Sequence, residues 1–139
     1  MQVTLAHIGG RAKELLKSLI KKKGPVILAL SGPLGSGKTT FVQALALHLG
    51  IEERVVSPTF LLMRRYRAKH PRFKELIHID AYRVEDQSEL SILPLAELFE
   101  REGALICIEW PERLGVILPL LARHISFAVE GENAREISL

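Results

Sequence analysis

The sequence predicts an α/β fold: a central, mostly parallel sheet flanked by helices, with antiparallel hairpins at its edges. Three observations predict it. Val26 to Leu30 and Ala104 to Ile108 are apolar runs too short for helices, the pattern of strands buried on both faces. Segments with a single apolar stripe at helical spacing alternate with such runs. A glycine-rich turn links the first of the runs to the helix that follows it.

In chain order, Gln2 to Ala6 alternates weakly and reads as a short edge strand. Ala12, Leu15, Leu16, Leu19 and Ile20 share one helical face, with Arg11, Lys13, Glu14, Lys17 and Lys21 mostly opposite. Gly24-Pro25 ends that helix. After strand Val26 to Leu30 and the glycine turn, a helix runs from about Lys38 to Leu49 and is closed by Gly50. Val55-Val56 reads as a short strand and Phe60 to Tyr66 as another, with segment 67–72 as a hairpin loop and Phe73 to Ile79 as the return. Asp86 and Glu89 are spaced to cap each other's backbone amides at a helix start. Pro94 opens a short helix through Phe99, because its fixed φ suits the first helical position. Ala104 to Ile108 is the next buried strand, and His124 to Val129, Gly131-Glu132-Asn133 and Ile137 to Leu139 form a terminal hairpin. With no repeat or linker, residues 1–139 read as one domain.

Composition narrows the function classes. Hydrophobic residues are 47% and charged residues 25%, a globular balance that excludes disorder and fibrous repeats. One cysteine excludes an internal disulfide and any cysteine-based zinc cluster. The longest uncharged stretch, Gly24 to Gly37, has 14 residues with two prolines and four glycines, too short and too broken to span a membrane. Residues 1–20 lack the order of a signal peptide, so the expectation is a soluble, cytoplasmic protein with no membrane partner. A net charge of +3 does not mark a nucleic-acid binder, yet the basic residues cluster. Arg64, Arg65, Arg67, Lys69 and Arg72 fall close together around His70, and Lys21 to Lys23 form a second run.

The chemistry is concentrated in Gly32-Pro33-Leu34-Gly35-Ser36-Gly37-Lys38-Thr39, which fits G-x-x-x-x-G-K-[ST] between a buried strand and a helix. Chance would produce that match in roughly three chains per thousand of this composition. Glycines at Gly32, Gly35 and Gly37 let backbone N–H groups of the loop, including those of Leu34 and Ser36, turn toward phosphate oxygens. The next helix adds its positive N-terminal end. Lys38 would reach β- and γ-phosphates, and the Thr39 hydroxyl would ligate Mg²⁺. The fold expected is thus P-loop NTPase-like. Two apolar strands end in acids, Leu76 to Asp80 and Leu105 to Glu109, and ligands of open parallel sheets lie at strand carboxyl ends. Asp80 and Glu109 are therefore candidates to face Lys38 and Thr39.

Four segments then coincide: G-P-L-G-S-G-K-T-T at 32–40, S-P-T-F at 57–60, H-I-D-A-Y-R at 78–83 and I-E-W-P-E-R at 108–113. Together, from about residue 10 to the end, they resemble the TsaE (YjeE) family, small bacterial ATPases of tRNA threonylcarbamoyladenosine biosynthesis. The resemblance implies ATP and Mg²⁺ as cofactors, and it adds Thr40 to the phosphate loop. It implies that Glu109 is the magnesium-associated acid and Asp80 an acid needed for hydrolysis. Thr59 would lie in a switch-like loop near the γ-phosphate, and Trp110 beside the nucleotide or a partner. The implied partners are TsaD and TsaB, with TsaD performing the threonylcarbamoyl transfer. The 64–72 basic run itself reads either as a solvated hairpin or as a contact for a partner or tRNA. Pro33 departs from the family, which usually has aspartate there; its place among the loop's variable positions implies a tuned site.

Other side chains carry plainer expectations. His78 reads as a buried, hydrogen-bonded histidine, Tyr82 as packing, Cys107 as inert core and Arg113 as a surface partner for an acid. Arg83 is the one candidate arginine finger within the chain. A GTPase would need N-K-x-D, but the single asparagine, Asn133, precedes Ala134-Arg135-Glu136. A small-molecule or nucleotide kinase with hairpin 64–72 as its lid is the alternative, and a nucleotide-dependent RNA-binding module is a third reading.

Overall fold

Segment Val26–Ser31 lacks a polar face because both of its faces are covered, as the computed structural model shows for residues 2–4, 7–56, 62–129 and 134–139. This strand is β2. Around it stand β1 (Gln2–Thr4), β3 (Met63–Arg67), β4 (Glu75–Asp80), β5 (Ala104–Glu109), β6 (Arg123–Val129) and β7 (Ala134–Ser138). The strand order is β1-β7-β6-β2-β5-β4-β3. β6, β2, β5 and β4 run parallel, while β3 pairs antiparallel at one edge and β7 and β1 at the other. The expected parallel centre with antiparallel margins is therefore what forms.

Strand alternation sorts the core into two clusters. Leu28 and Leu30 of β2, Leu76 of β4, and Leu105 and Cys107 of β5 pack with helices α1 (Ile8–Leu19) and α2 (Lys38–His48). Ile27, Ala29, Ile77, Ile79, Ile106 and Ile108 face the other way, toward α3 (Leu95–Leu98) and the 3-10 turns. In α1 the predicted stripe of Ala12, Leu15, Leu16 and Leu19 is buried, but Ile20 falls past the helix end and is 45% exposed. Phe41 of α2 meets Phe127 of β6 edge-on at 5.5 Å, locking helix to sheet.

Helix α2 ends as the glycine predicts. Gly50 takes φ 73°, its N–H donates to the Leu47 carbonyl and that of Ile51 to the Ala46 carbonyl, closing a Schellman turn. A Cβ there would stand 2.9 Å from the Lys69 carbonyl oxygen, so the residue also lets the hairpin approach.

Val55-Val56 is not a strand. The Val55 carbonyl accepts from the Gln43 side chain at 2.9 Å and the Val56 N–H donates to the Tyr66 hydroxyl at 3.4 Å. Side chains thus satisfy backbone groups that a ladder would otherwise pair. The Asp86–Glu89 cap is present, with Glu89 accepting from the Asp86 N–H at 3.1 Å, but it starts a 3-10 helix, Gln87–Ile92. Pro94 is the residue before α3 rather than its first.

Cys107 is fully buried, and that burial pushes its thiol pKa up, with Glu109 adding to the shift. Native protein should therefore resist thiol-directed reagents, and labelling should rise in step with urea-induced loss of helical circular dichroism. Rapid labelling of the native state would contradict a sealed core.

Candidate nucleotide-binding site

Residues 32–37 must reverse the chain between β2 and α2 without filling the space their amides surround. Gly35 and Gly37 have φ of 75° and 102°, left-handed values that side-chain-bearing residues rarely adopt. Gly32 is required for closeness instead: a Cβ there would lie 2.6 Å from the Phe127 carbonyl oxygen. The loop is pressed against β6. Exposed Pro33 accepts a hydrogen bond from the Ser36 N–H at 3.2 Å, so this departure is absorbed in the turn's own geometry. Ser36 is fully buried, and its hydroxyl oxygen has no hydrogen-bond partner among the described residues. A buried polar atom left over in a glycine cradle fits an anion-holding loop.

Lys38 opens α2 and is only 4% exposed. Its ammonium donates to the Gly32 carbonyl at 2.5 Å and stands 3.8 Å from the Trp110 ring centroid. Burial lowers its pKa, while the carboxylates of Glu109, Glu112 and Asp80 oppose that shift. Glu112 is a nearby charge that the sequence reading did not single out.

The same alternation that sorts the core delivers the acids. Leu76, His78 and Asp80 share one face of β4, and Leu105, Cys107 and Glu109 share the matching face of β5, toward α2. Asp80 and Glu109 are direct partners in the parallel register. Both are nearly buried. The Thr39 hydroxyl is 3.1 and 3.0 Å from the two Glu109 oxygens, and His78 Nε2 is 2.5 Å from Oε2. A carboxylate accepts, so Nε2 is the donor, and the buried Nδ1 has no hydrogen-bond partner among the described residues. Asp80 accepts the Tyr82 N–H at 3.0 Å. The expected buried, hydrogen-bonded histidine is thus found, and its partner is the candidate metal acid; shared strand parity was the available signal.

After Glu109 the chain turns sharply, with Trp110 at φ 59° in the left-handed region, a conformation that costs about 1–2 kcal/mol in a residue with a Cβ. Pro111 then begins a 3-10 turn, Pro111–Arg113. The turn brings the indole over Lys38, and Tyr82 packs against it with centroids 5.2 Å apart. Lys38, Thr39, Asp80, Glu109 and Trp110 are therefore brought together. Leu34 and Thr40 are exposed, the Thr40 hydroxyl makes no hydrogen bond among the described residues, and Thr59 lies outside the described residues. Arg113 pairs with no acid among the described residues; its guanidinium donates to the Val84 carbonyl at 2.8 Å, because that backbone group faces the 3-10 turn. Arg83 is exposed.

The family profile described as threonylcarbamoyl adenosine biosynthesis protein TsaE matches residues 6–137. The chain belongs to the TsaE family. The tRNA threonylcarbamoyladenosine biosynthesis protein TsaE of Bacillus subtilis is 38% identical over 123 residues, covering 88% of this chain and 73% of that protein. TsaE of Treponema pallidum is 38% identical over 113 residues, 81% of this chain and 80% of its own. TsaE of Mycobacterium tuberculosis is 32% identical over 108 residues, 75% of this chain, and the matched region spans 63% of that longer relative. The crystal structure of Bacillus subtilis YdiB superposes with a TM-score of 0.74 at 30% identity, over 99% of this chain and 80% of that one.

Gly32→Ala should destabilise the fold by about 1–3 kcal/mol, the usual penalty for overpacking, since backbone of β6 stands where the methyl must go. Urea unfolding measures it, and an unchanged midpoint would mean that the loop can lift off β6.

Proposed function

We propose that this TsaE-family chain binds and hydrolyses Mg-ATP in the cytoplasm. Its turnover would drive a TsaB–TsaD assembly that forms threonylcarbamoyladenosine in tRNAs reading codons that begin with A. The observation that carries this reading is the Thr39 hydroxyl held between the two Glu109 oxygens, at the mouth of a glycine loop and beside Asp80. Loop amides and the α2 N-terminus would hold the phosphates, and Lys38 would leave the Gly32 carbonyl for them. The donor set suits Mg²⁺, a hard cation that takes oxygen ligands and usually only one or two from protein in phosphate sites; Thr39 and Glu109 would hold it. When bound, the ion supplies charge neutralisation on phosphate oxygens. His78, bonded to Glu109, would fix its orientation, and Asp80, the register partner of Glu109, would orient the attacking water.

The pathway assignment follows the family description and relatives. None of the described helices is long and apolar enough to cross a membrane. The kinase alternative needs a free arginine lid at 64–72. Arg65 is paired with Glu75, and Arg72 is bonded to the Lys22 and Gly24 carbonyls, which argues against that role.

Two sets of measurements test the proposal. Trp110 is the only tryptophan, and an ammonium 3.8 Å from its ring should leave when phosphates arrive. Mg-ATP should shift the emission of the native protein, and Lys38→Ala should abolish both this shift and calorimetric binding. Equal displacement of ATP by GTP would remove the adenine preference.

Phosphate release, with and without purified TsaB–TsaD, tests turnover. Release should be slow for the lone chain and clearly faster in the assembly. Asp80→Ala should lower it by roughly 10²-fold with binding retained, whereas Glu109→Ala should shift the Mg²⁺ titration to higher concentration. Normal binding and hydrolysis in both variants would make these acids structural.

A further inference from the structure

Two basic segments about fifty residues apart meet at the pole of the sheet opposite the glycine loop. Arg72 joins them. Its Nε donates to the Lys22 carbonyl at 2.7 Å and its Nη2 to the Gly24 carbonyl at 2.6 Å, with the guanidinium 4.7 Å above the ring of buried Phe73. A cation beside the carbonyl end of α1 is favourably placed. Across the gap, the Lys74 N–H donates to the Gly103 carbonyl at 2.7 Å, fixing the far wall. Between the walls is a cavity of about 430 Å³ whose charged lining is Lys21, Lys22, Lys23, Arg72, Lys74 and Glu102.

Five cations thus face one carboxylate, a net of four positive charges, whereas the whole chain carries only +3. Everything outside this cavity therefore sums to one negative charge. The side chains of Lys21, Lys22, Lys23 and Lys74 are exposed and form no ion pair or hydrogen bond among the described residues. The other part of the 64–72 run is partly neutralised, Arg65 by Glu75 and Lys69 by Glu52. Lys74 and Gly103 immediately precede β4 and β5, and Gly24 stands two residues before β2, so the cavity lies at the strand amino ends. The length of β2, about 17 Å at about 3.3 Å per residue, therefore stands between the cavity and the glycine loop.

We propose that this amino-end cavity binds the phosphate backbone of RNA. Unpaired, flexible ammonium groups are point charges suited to phosphate oxygens. The lining contains no aromatic ring on which a base would stack, so contact is to the backbone and independent of base sequence. An acidic protein surface is the less favoured occupant, since the only large apolar side chain in the lining is Ile20 and there is no pocket for an aromatic anchor. The choice of tRNA as probe rests on the family's place in threonylcarbamoyladenosine biosynthesis, while the site itself needs no nucleotide.

Fluorescence anisotropy of labelled tRNA, with the full chain and no ATP, tests it apart from any ATPase activity. Four phosphate contacts give a log–log salt slope of about −3, so affinity should fall about 50- to 150-fold from about 50 to 200 mM KCl. The double variant Lys22→Gln/Lys74→Gln should bind more weakly at every salt concentration, with a fall of only about 7- to 12-fold over that range. Its thermal unfolding should match that of the native protein, because both side chains are exposed and unpaired. Absence of saturable tRNA binding at the lower salt, or unchanged binding by the double variant, overturns the proposal. So does displacement of tRNA by poly-glutamate at equal charge, which would assign the cavity to an acidic protein. Capture by phosphatidylserine vesicles without tRNA binding would reassign it to a membrane surface and overturn it likewise.

Discussion

Alternation of side chains along a strand, combined with a parallel register that sets Asp80 opposite Glu109, is the constraint from which the site follows. Shifting β4 by one residue against β5 would turn Asp80 and His78 toward α3 and leave isoleucines facing the glycine loop. Register is held by burial on both faces: Leu76 and Leu105 belong to one cluster, Ile77 and Ile106 to the other. The packing of an all-apolar centre therefore fixes the position of the few polar groups at its rim. Helix α2 completes the arrangement because Phe41, three residues beyond Lys38, is wedged against Phe127.

The rim is electrostatically demanding. Glu109, Asp80, His78 and Lys38 are all below a tenth exposed, and a buried ionised group is tolerated only with hydrogen bonds and opposite charge. Glu109 has both, from Thr39, His78 and the neighbouring Lys38. Replacing this cluster with hydrocarbon would be no burden on stability in general. Its retention at the strand ends, rather than deep in the sheet, is the placement expected of groups that meet a ligand.

Much of this was readable before any coordinates. The buried runs at β2 and β5, the stripe of α1 and the Gly50 cap each depend on local pattern, and local pattern decides them. Val55-Val56 misled because β-branched residues score as strand, while Gln43 and Tyr66, distant in sequence, satisfy their backbone instead. At the site, motif spacing pointed to Lys38, Thr39, Asp80 and Glu109. It could not reveal that His78 bonds Glu109 or that Glu112 influences Lys38, since those contacts arise from strand pairing and from the left-handed turn at Trp110. Nor could it join Lys22 to Arg72, a contact made only when the end of α1 meets the β3–β4 hairpin.

The two contacts of the Lys38 ammonium set a threshold for any anion that the loop would take. That ammonium is already satisfied by a carbonyl and an aromatic face, so an incoming anion must outbid both. A charge-assisted hydrogen bond at about 1.5–3 kcal/mol and a cation–π contact at about 0.5–2 kcal/mol together set a barrier of a few kcal/mol. A weakly charged anion such as chloride gains too little from one ammonium to cross it. A chain of phosphates, which under the proposed function would also engage the loop amides and the helix end, would gain enough. On the proposed function, discrimination against the abundant small anions of the cell would thus come from the contacts of one lysine, before any feature of the base or sugar is read.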